Sequence, residues 1–452
     1  MTRNAINPLD GRYFEKTREL APYFSEQALM KYRVIMEGEY FIALSASRKT
    51  ALRKLSVSEI KKIRSLYDLS EKDFAQIKTI EKKTNHDVKA VEYFIKEKLS
   101  KTSLKDSLEW VHFALTSEDT NNIAYALILS DSLEQVMIPS ISKNISELNI
   151  LAKKYKNLPM LARTHGQSAS PTTFGKEMRV YALRLEKRLI GLKSIQIEAK
   201  LNGATGNYNA YHVAYPKVNW GLFSKKFIEG FNKNRTQKLK QNAVTTQIEC
   251  HDSYVAIFDT LRRINTILLD FNQDMWRYIS DDWIGQIPKR GETGSSTMPH
   301  KINPIDFENS EGNLGLANAL FEFFARKLPI SRLQRDLSDS TVERAFGTAF
   351  GHSYLAYNSL LRGLSKIKIN EIKIKEDLNN HPEVITEAIQ TILRREGTDM
   401  PYEKLKELSR GKKITMNDIH KFINDLKVND KVKKELLKIS PENYTGLASK
   451  LV

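Results

Sequence analysis

Apolar residues recur along this chain in steps of four and three, the period of a helix that buries one face. The stripe Ile257, Leu261, Ile264, Leu268, Phe271, Met275, Tyr278 holds that alternation over three heptads and predicts a bundle helix. Similar stripes run through Ile141, Ile145, Leu148, Ala152 and Tyr155, through Tyr181, Leu185, Leu189, Leu192 and Ile195, and through Phe346, Phe350, Tyr354, Tyr357, Leu361 and Leu364. Leu316, Leu320 and Phe323 mark another, ended by Pro329. Pro139 reads as the first turn of a new helix, after one that runs from Thr116 to about Met137. Residues 26–99 read as helical with a polar gap at 68–72, and beyond Lys366 short charged helices alternate with Gly397, Pro401, Gly411 and Pro441. Alternating strand text is scarce. The expected fold is all-α, in three helical domains: an N-terminal one at 1–111, a central one of long helices at 112–365 and a small C-terminal one at 366–452. Helices of roughly 25 to 35 residues cannot each bury a wide apolar face within one narrow bundle, so the stripes predict a helical bundle built from several subunits.

Polar islands interrupt these stripes: Leu9-Asp10-Gly11-Arg12-Tyr13, Thr84-Asn85-His86-Asp87-Val88, His112 with Thr116-Ser117-Glu118-Asp119, Arg163-Thr164-His165-Gly166-Gln167, Gly294 to Pro304, and Arg335 to Ser340. A hydroxyl, amide or imidazole buried without a partner costs about 1 to 3 kcal/mol, so their grouping suits the lining of a wet cleft. Each island also has a plain reading. Asp10-Gly11 is a turn, Thr116 to Asp119 caps a helix, a lone histidine such as His165 belongs on a surface, and Gly294 to Pro304 is either a proline-containing turn or a catalytic flap.

Composition narrows the choice. At 452 residues, 41% hydrophobic and 28% charged, the chain has the make-up of a globular protein, with no apolar run of membrane-spanning length. The start, Met1 to Pro8, lacks the apolar core of a secretory signal, so a cytoplasmic location is expected. One cysteine, Cys250, excludes an internal disulfide and a cysteine-rich metal site. The net charge of +17 is spread over lysines interleaved with glutamates. That pattern describes solvated helix faces and an attraction for small anions, not a nucleic-acid groove.

The loop Gly294-Ser-Ser-Thr-Met-Pro-His-Lys-Ile-Asn-Pro304 resembles the signature loop of the fumarase/aspartase superfamily. Together with the islands at 9–13, 84–88, 116–119, 163–167 and 335–340, the pattern is most similar to the adenylosuccinate lyase family, nearly end to end. Argininosuccinate lyase, aspartase and fumarase share the loop, and a basic helical nucleic-acid-binding protein is the alternative from another class. The resemblance implies release of fumarate from adenylosuccinate and from succinylaminoimidazole carboxamide ribotide, with no metal or cofactor. It implies a homotetramer whose active sites are shared between subunits. It makes Ser295 the base and His165 the acid, with Glu308 supporting the histidine and with Lys301 and Asn303 stabilising the developing dianion. It carries Arg12 and Tyr13 to the phosphate, Asn85, His86, Asp87 and His112 to the substrate, and Thr116, Ser117 and Gln247 to the succinyl and linking groups. Arg335, Ser340 and Arg344 complete the nucleotide site, and the lysine-rich segment 233–240 receives no role.

Overall fold

A computed structural model describes residues 4–288, 291, 297–411 and 413–452. Among these, the strands are three to seven residues long and pair into three two-stranded sheets, so the fold is all-α in substance. The chain divides into two compact units, one of residues 1–142, 187–266 and 312–358, the other of 143–186, 267–311 and 359–452. All five boundaries fall inside helices: Ile138–Lys154, Phe174–Ser194, Asp252–Ser280, Ile305–Lys327 and Phe346–Leu364. Among the described residues no helix is long and apolar enough to cross a membrane.

The stripe from Ile257 to Tyr278 lies on the helix Asp252–Ser280, and its first six members are buried. At 29 residues this helix reaches the expected length, whereas the helices at 174–194, 305–327 and 346–364 have only 19 to 23 residues. Pro139 does not open a separate helix. The helix Ser117–Ser132 passes through a π-turn at Leu133–Met137 straight into Ile138–Lys154. Proline lacks an N–H and its ring clashes with the carbonyl four residues back. The wider turn, in which the Ile138 N–H reaches the Leu133 carbonyl, makes room for that ring.

In the first unit the helix Glu26–Ser47 packs on Ser117–Ser132, which is buried on all sides from Glu118 to Ser130. Phe258, Phe321, Phe324, Phe346 and Phe350 form an aromatic core with centroids 5.0 to 6.4 Å apart. In the second unit the strands Pro159–Thr164 and Gln167–Thr173 form an antiparallel hairpin, where the sequence had suggested only an irregular island. Its turn is His165-Gly166, both at positive φ (52° and 73°), the twist that suits a two-residue hairpin.

Candidate active site

The first unit gathers most of the expected substrate contacts. Asn85 ends the helix Glu71–Thr84 at φ 50°, and His86 caps the next helix, its Nδ1 accepting the Lys89 N–H at 3.2 Å. With Nδ1 engaged in that bond, the other ring nitrogen of His86, Nε2, faces Ser117 Oγ at 3.5 Å. Asp87 sits between two guanidiniums, Arg33 and Arg344, each at 2.8 Å. Burial pushes the Asp87 carboxyl up, but the two arginines outweigh it and hold the group well below the usual carboxylate range. Arg344 also lines a cavity of about 210 Å³ with Tyr23, Phe24, Glu26 and Tyr125.

His112 lies at φ 61° and its Nδ1 is 2.6 Å from the fully buried Glu37, which also accepts from Thr120 Oγ1 at 2.8 Å. Burial pulls the imidazole pKa down, yet Glu37 pushes it up further, with a net rise. Thr116 caps the helix Ser117–Ser132, its N–H donating to Asp119 at 3.0 Å, so the capping reading holds alongside any substrate role. Gln247 donates to the Ala204 carbonyl at 2.9 Å and accepts from Arg335 at 3.4 Å. Arg335 is held from behind by Glu118 at 3.1 Å and Asp339 at 3.4 Å. The Ser340 N–H donates to Asp339 at 2.6 Å, in the short helix Ser338–Glu343 that leads to Arg344. Arg12 lies over the Tyr13 ring at 5.8 Å, exposed, with no hydrogen bond to the other candidates among the described residues.

The second unit carries the expected acid. His165 is exposed at the hairpin tip, and the hairpin is braced from the C-terminal segment by Ser168 Oγ against His381 Nδ1 at 3.2 Å and by Ser170 against Glu387. Glu308 lies in the first turn of Ile305–Lys327, exposed, and accepts from Trp276 Nε1 at 3.2 Å. No ion pair joins Glu308 to His165 among the described residues of this chain. Lys301 is exposed and Asn303 half-buried, at the end of a segment fastened by Gln286 to the Ile302 carbonyl at 2.7 Å. Ser295 lies outside the described residues. Among those described, no cluster of side chains could hold a metal ion.

Sequence reasoning missed the buried charges Arg33, Glu37, Lys200, His251 and Glu343 behind these groups, and it marked Glu118 and Asp119 in the 116–119 island without their burial. His251 lies 3.3 Å from Glu343, and although burial pulls its pKa down, that carboxylate and Glu249 push it up to about 9. Arg33 and Glu37 had a signal: both interrupt the apolar face of Met30, Val34, Tyr40 and Phe41. A charge on a buried face requires a partner. Lys200 had none, because nothing local marks it as buried.

Chemically, the first unit offers anionic groups its arginines and a histidine whose pKa is raised, and the second carries an exposed imidazole at the hairpin tip and, on the 301–303 segment, a lysine and an amide. A family profile described as Lyase matches residues 11–318, and one described as Adenylosuccinate lyase C-terminal matches residues 331–445. The chain is 51% identical to the adenylosuccinate lyase of Dictyostelium discoideum, over 98% of this chain and 96% of the relative. It is 47% identical to that of Legionella pneumophila strain Corby (99% and 98% covered) and 45% identical to that of Escherichia coli K12 (99% and 98%). In fold it is similar to a 3-carboxy-cis,cis-muconate lactonizing enzyme from Pseudomonas putida, at TM-score 0.74 and 17% identity over 98% of this chain and 97% of the other.

Proposed function

The chain belongs to the adenylosuccinate lyase family, and from that premise we propose how its residues carry out a carbon–nitrogen elimination. The substrates are adenylosuccinate, giving AMP and fumarate, and succinylaminoimidazole carboxamide ribotide, giving the free carboxamide ribotide and fumarate. Elimination removes a proton from the carbon beside a succinyl carboxylate, places extra negative charge on that carboxylate, then breaks the C–N bond as nitrogen takes a proton. It therefore needs a base, an anion hole and an acid.

Ser295 is the base. A serine hydroxyl loses a proton only if its anion is stabilised by about 1.36 kcal/mol for each unit of pKa lowering. Lys301 supplies a cation from the same loop. Lys301 and Asn303 then meet the charge that develops on the carboxylate. His165 protonates the leaving nitrogen; an imidazole titrates near neutrality and so both holds and releases the proton. Glu308 supports the charged imidazole. Arg335, Ser340 and Arg344, with Arg12 and Tyr13, take the phosphate, because guanidinium forks match its oxygens. Thr116, Ser117 and Gln247 hold the succinyl and linking groups, and Asn85, His86, Asp87 and His112 complete the contacts. Neither metal nor organic cofactor takes part.

The working enzyme is a homotetramer with sites assembled from several subunits. Ile150, Ile190, Leu316 and Phe323 support this reading, since each is exposed on a long helix of a single chain. The observation that carries the functional reading is the convergence of Arg33, Asp87, Arg344, Ser117 and His86 on one wall. Purified protein is expected to release fumarate from both substrates. Turnover of neither would overturn the reading.

A further inference from the structure

Behind Thr116 and Gln247 lies a charge pair that no role assigned so far uses. Lys200 and Asp119 are both 0% exposed, with Nζ and Oδ1 3.1 Å apart. The Lys200 ammonium also donates to the Gly203 carbonyl at 2.8 Å and to the Gln247 carbonyl at 2.7 Å. An ammonium has three N–H groups, and here each has an acceptor. On the other side, Asp119 accepts the N–H groups of Thr116 at 3.0 Å, Asn202 at 3.1 Å and Gly203 at 3.1 Å. The Lys200 backbone is itself pinned: its N–H donates to Asn122 Oδ1 at 2.8 Å, and its carbonyl accepts from Asn122 Nδ2 at 3.0 Å.

Two buried side chains thus fasten three separate stretches of chain: the start of helix Ser117–Ser132, the 200–203 turn and the 245–247 loop. A buried ion pair is a weak source of stability, because desolvation of both charges offsets most of their attraction, and an apolar pair often does as well. What a methyl cannot supply is direction. Each N–H of the ammonium fixes the place of one acceptor, and one of those acceptors is the carbonyl of Gln247, whose side chain meets Arg335.

We propose that Lys200, paired with Asp119, is a positioning residue for substrate binding: it sets the separation of Thr116 from Gln247 and, through Gln247, the place of Arg335. This rests on the preceding assignment of Thr116, Gln247 and Arg335 to the substrate. Loss of the pair weakens ground-state and transition-state contacts alike, which raises KM and spares kcat. A purely structural role does the reverse, since a smaller active fraction lowers apparent kcat and leaves KM alone.

The test compares Lys200→Met, the double variant Lys200→Met/Asp119→Asn and Gln247→Ala in steady-state kinetics with adenylosuccinate, each checked for folding by circular dichroism. In the double variant no lone charge is left buried, which favours folding. Both Lys200 variants are expected to raise KM by about tenfold or more with kcat within about threefold. Gln247→Ala is the control for the reading beneath the proposal. If it raises KM while a folded Lys200 variant keeps the wild-type KM, the proposal falls and the assignment stands. If Gln247→Ala leaves KM unchanged, the assignment itself falls and takes the proposal with it. Failure of both Lys200 variants to fold assigns the pair to the fold and also overturns the proposal.

Discussion

His112 shows how neighbours shift the titration of a single residue. Three neighbours act on its ring: Glu37 and Glu92 push the pKa up and Lys89 pulls it down, against a burial that favours the neutral form. Because the folded value lies above the ordinary 6.5, the contribution of the imidazolium is fully present below that pH and is lost as pH rises through the folded value. Glu37→Gln removes the main push upward. The basic limb of kcat/KM against pH is expected to move to lower pH, and a limb that stays in place would count against a charged His112 in substrate binding. Ser295→Ala is expected to bind adenylosuccinate with little change while kcat falls by about a thousandfold or more, the scale of losing an essential base. Near-normal turnover would remove Ser295 from that role. Asp87 needs no such test near neutrality, since Arg33 and Arg344 keep it ionised down to strongly acidic pH.

At the scale of elements, the hairpin is the part most exposed to backbone chemistry. His165 and Gly166 both occupy positive φ, a region that a residue with a side chain enters at about 1 to 2 kcal/mol. Gly166→Val therefore strains the turn that aims the imidazole, while the strands stay braced by Ser168 on His381 and Ser170 on Glu387. We expect kcat to fall on the order of a hundredfold, since misplacing a catalytic group by an ångström has that effect. Thermal unfolding is expected to shift by only a few degrees for about 1 to 2 kcal/mol. A kcat unchanged by Gly166→Val would mean that hairpin geometry does not set the acid. The π-turn at Leu133–Met137 belongs to this scale too, as the local adjustment that lets one helix carry Pro139 without breaking.

At the scale of the whole molecule, the helix faces left open in one chain are the main feature. Ile190 is 70% exposed and Phe323 44%, apolar surface whose covering is favourable. Ile190→Glu with Phe323→Glu is expected to break the assembly into smaller species in analytical ultracentrifugation, with helicity kept and activity lost. A tetramer of unchanged mass and activity would place the interfaces elsewhere. The proposed sharing of sites makes a sharper demand: inactive Ser295→Ala and His165→Ala subunits, mixed and allowed to exchange, are expected to regain part of the wild-type activity. No recovery after proven exchange would mean that each chain builds its own site.

The sequence by itself determined the helical class, the Ile257 to Tyr278 helix and many of the places where helices are interrupted, though not at Pro139, because periodicity and breakers are local properties of the chain. It also marked candidate groups for the chemistry, since hydroxyls, imidazoles and guanidiniums clustered at those interruptions stand out against apolar stripes. Tertiary structure alone decided what stands behind them. The 163–167 island became a hairpin because strand pairing joins residues apart in sequence, such as Pro159 with Thr173. Lys200 reads as one more lysine of a basic chain, and only folding removes it from water and surrounds it with Asp119, Gly203 and Gln247. Burial depends on which distant segments come to lie on a residue, and that information is spread over the whole chain.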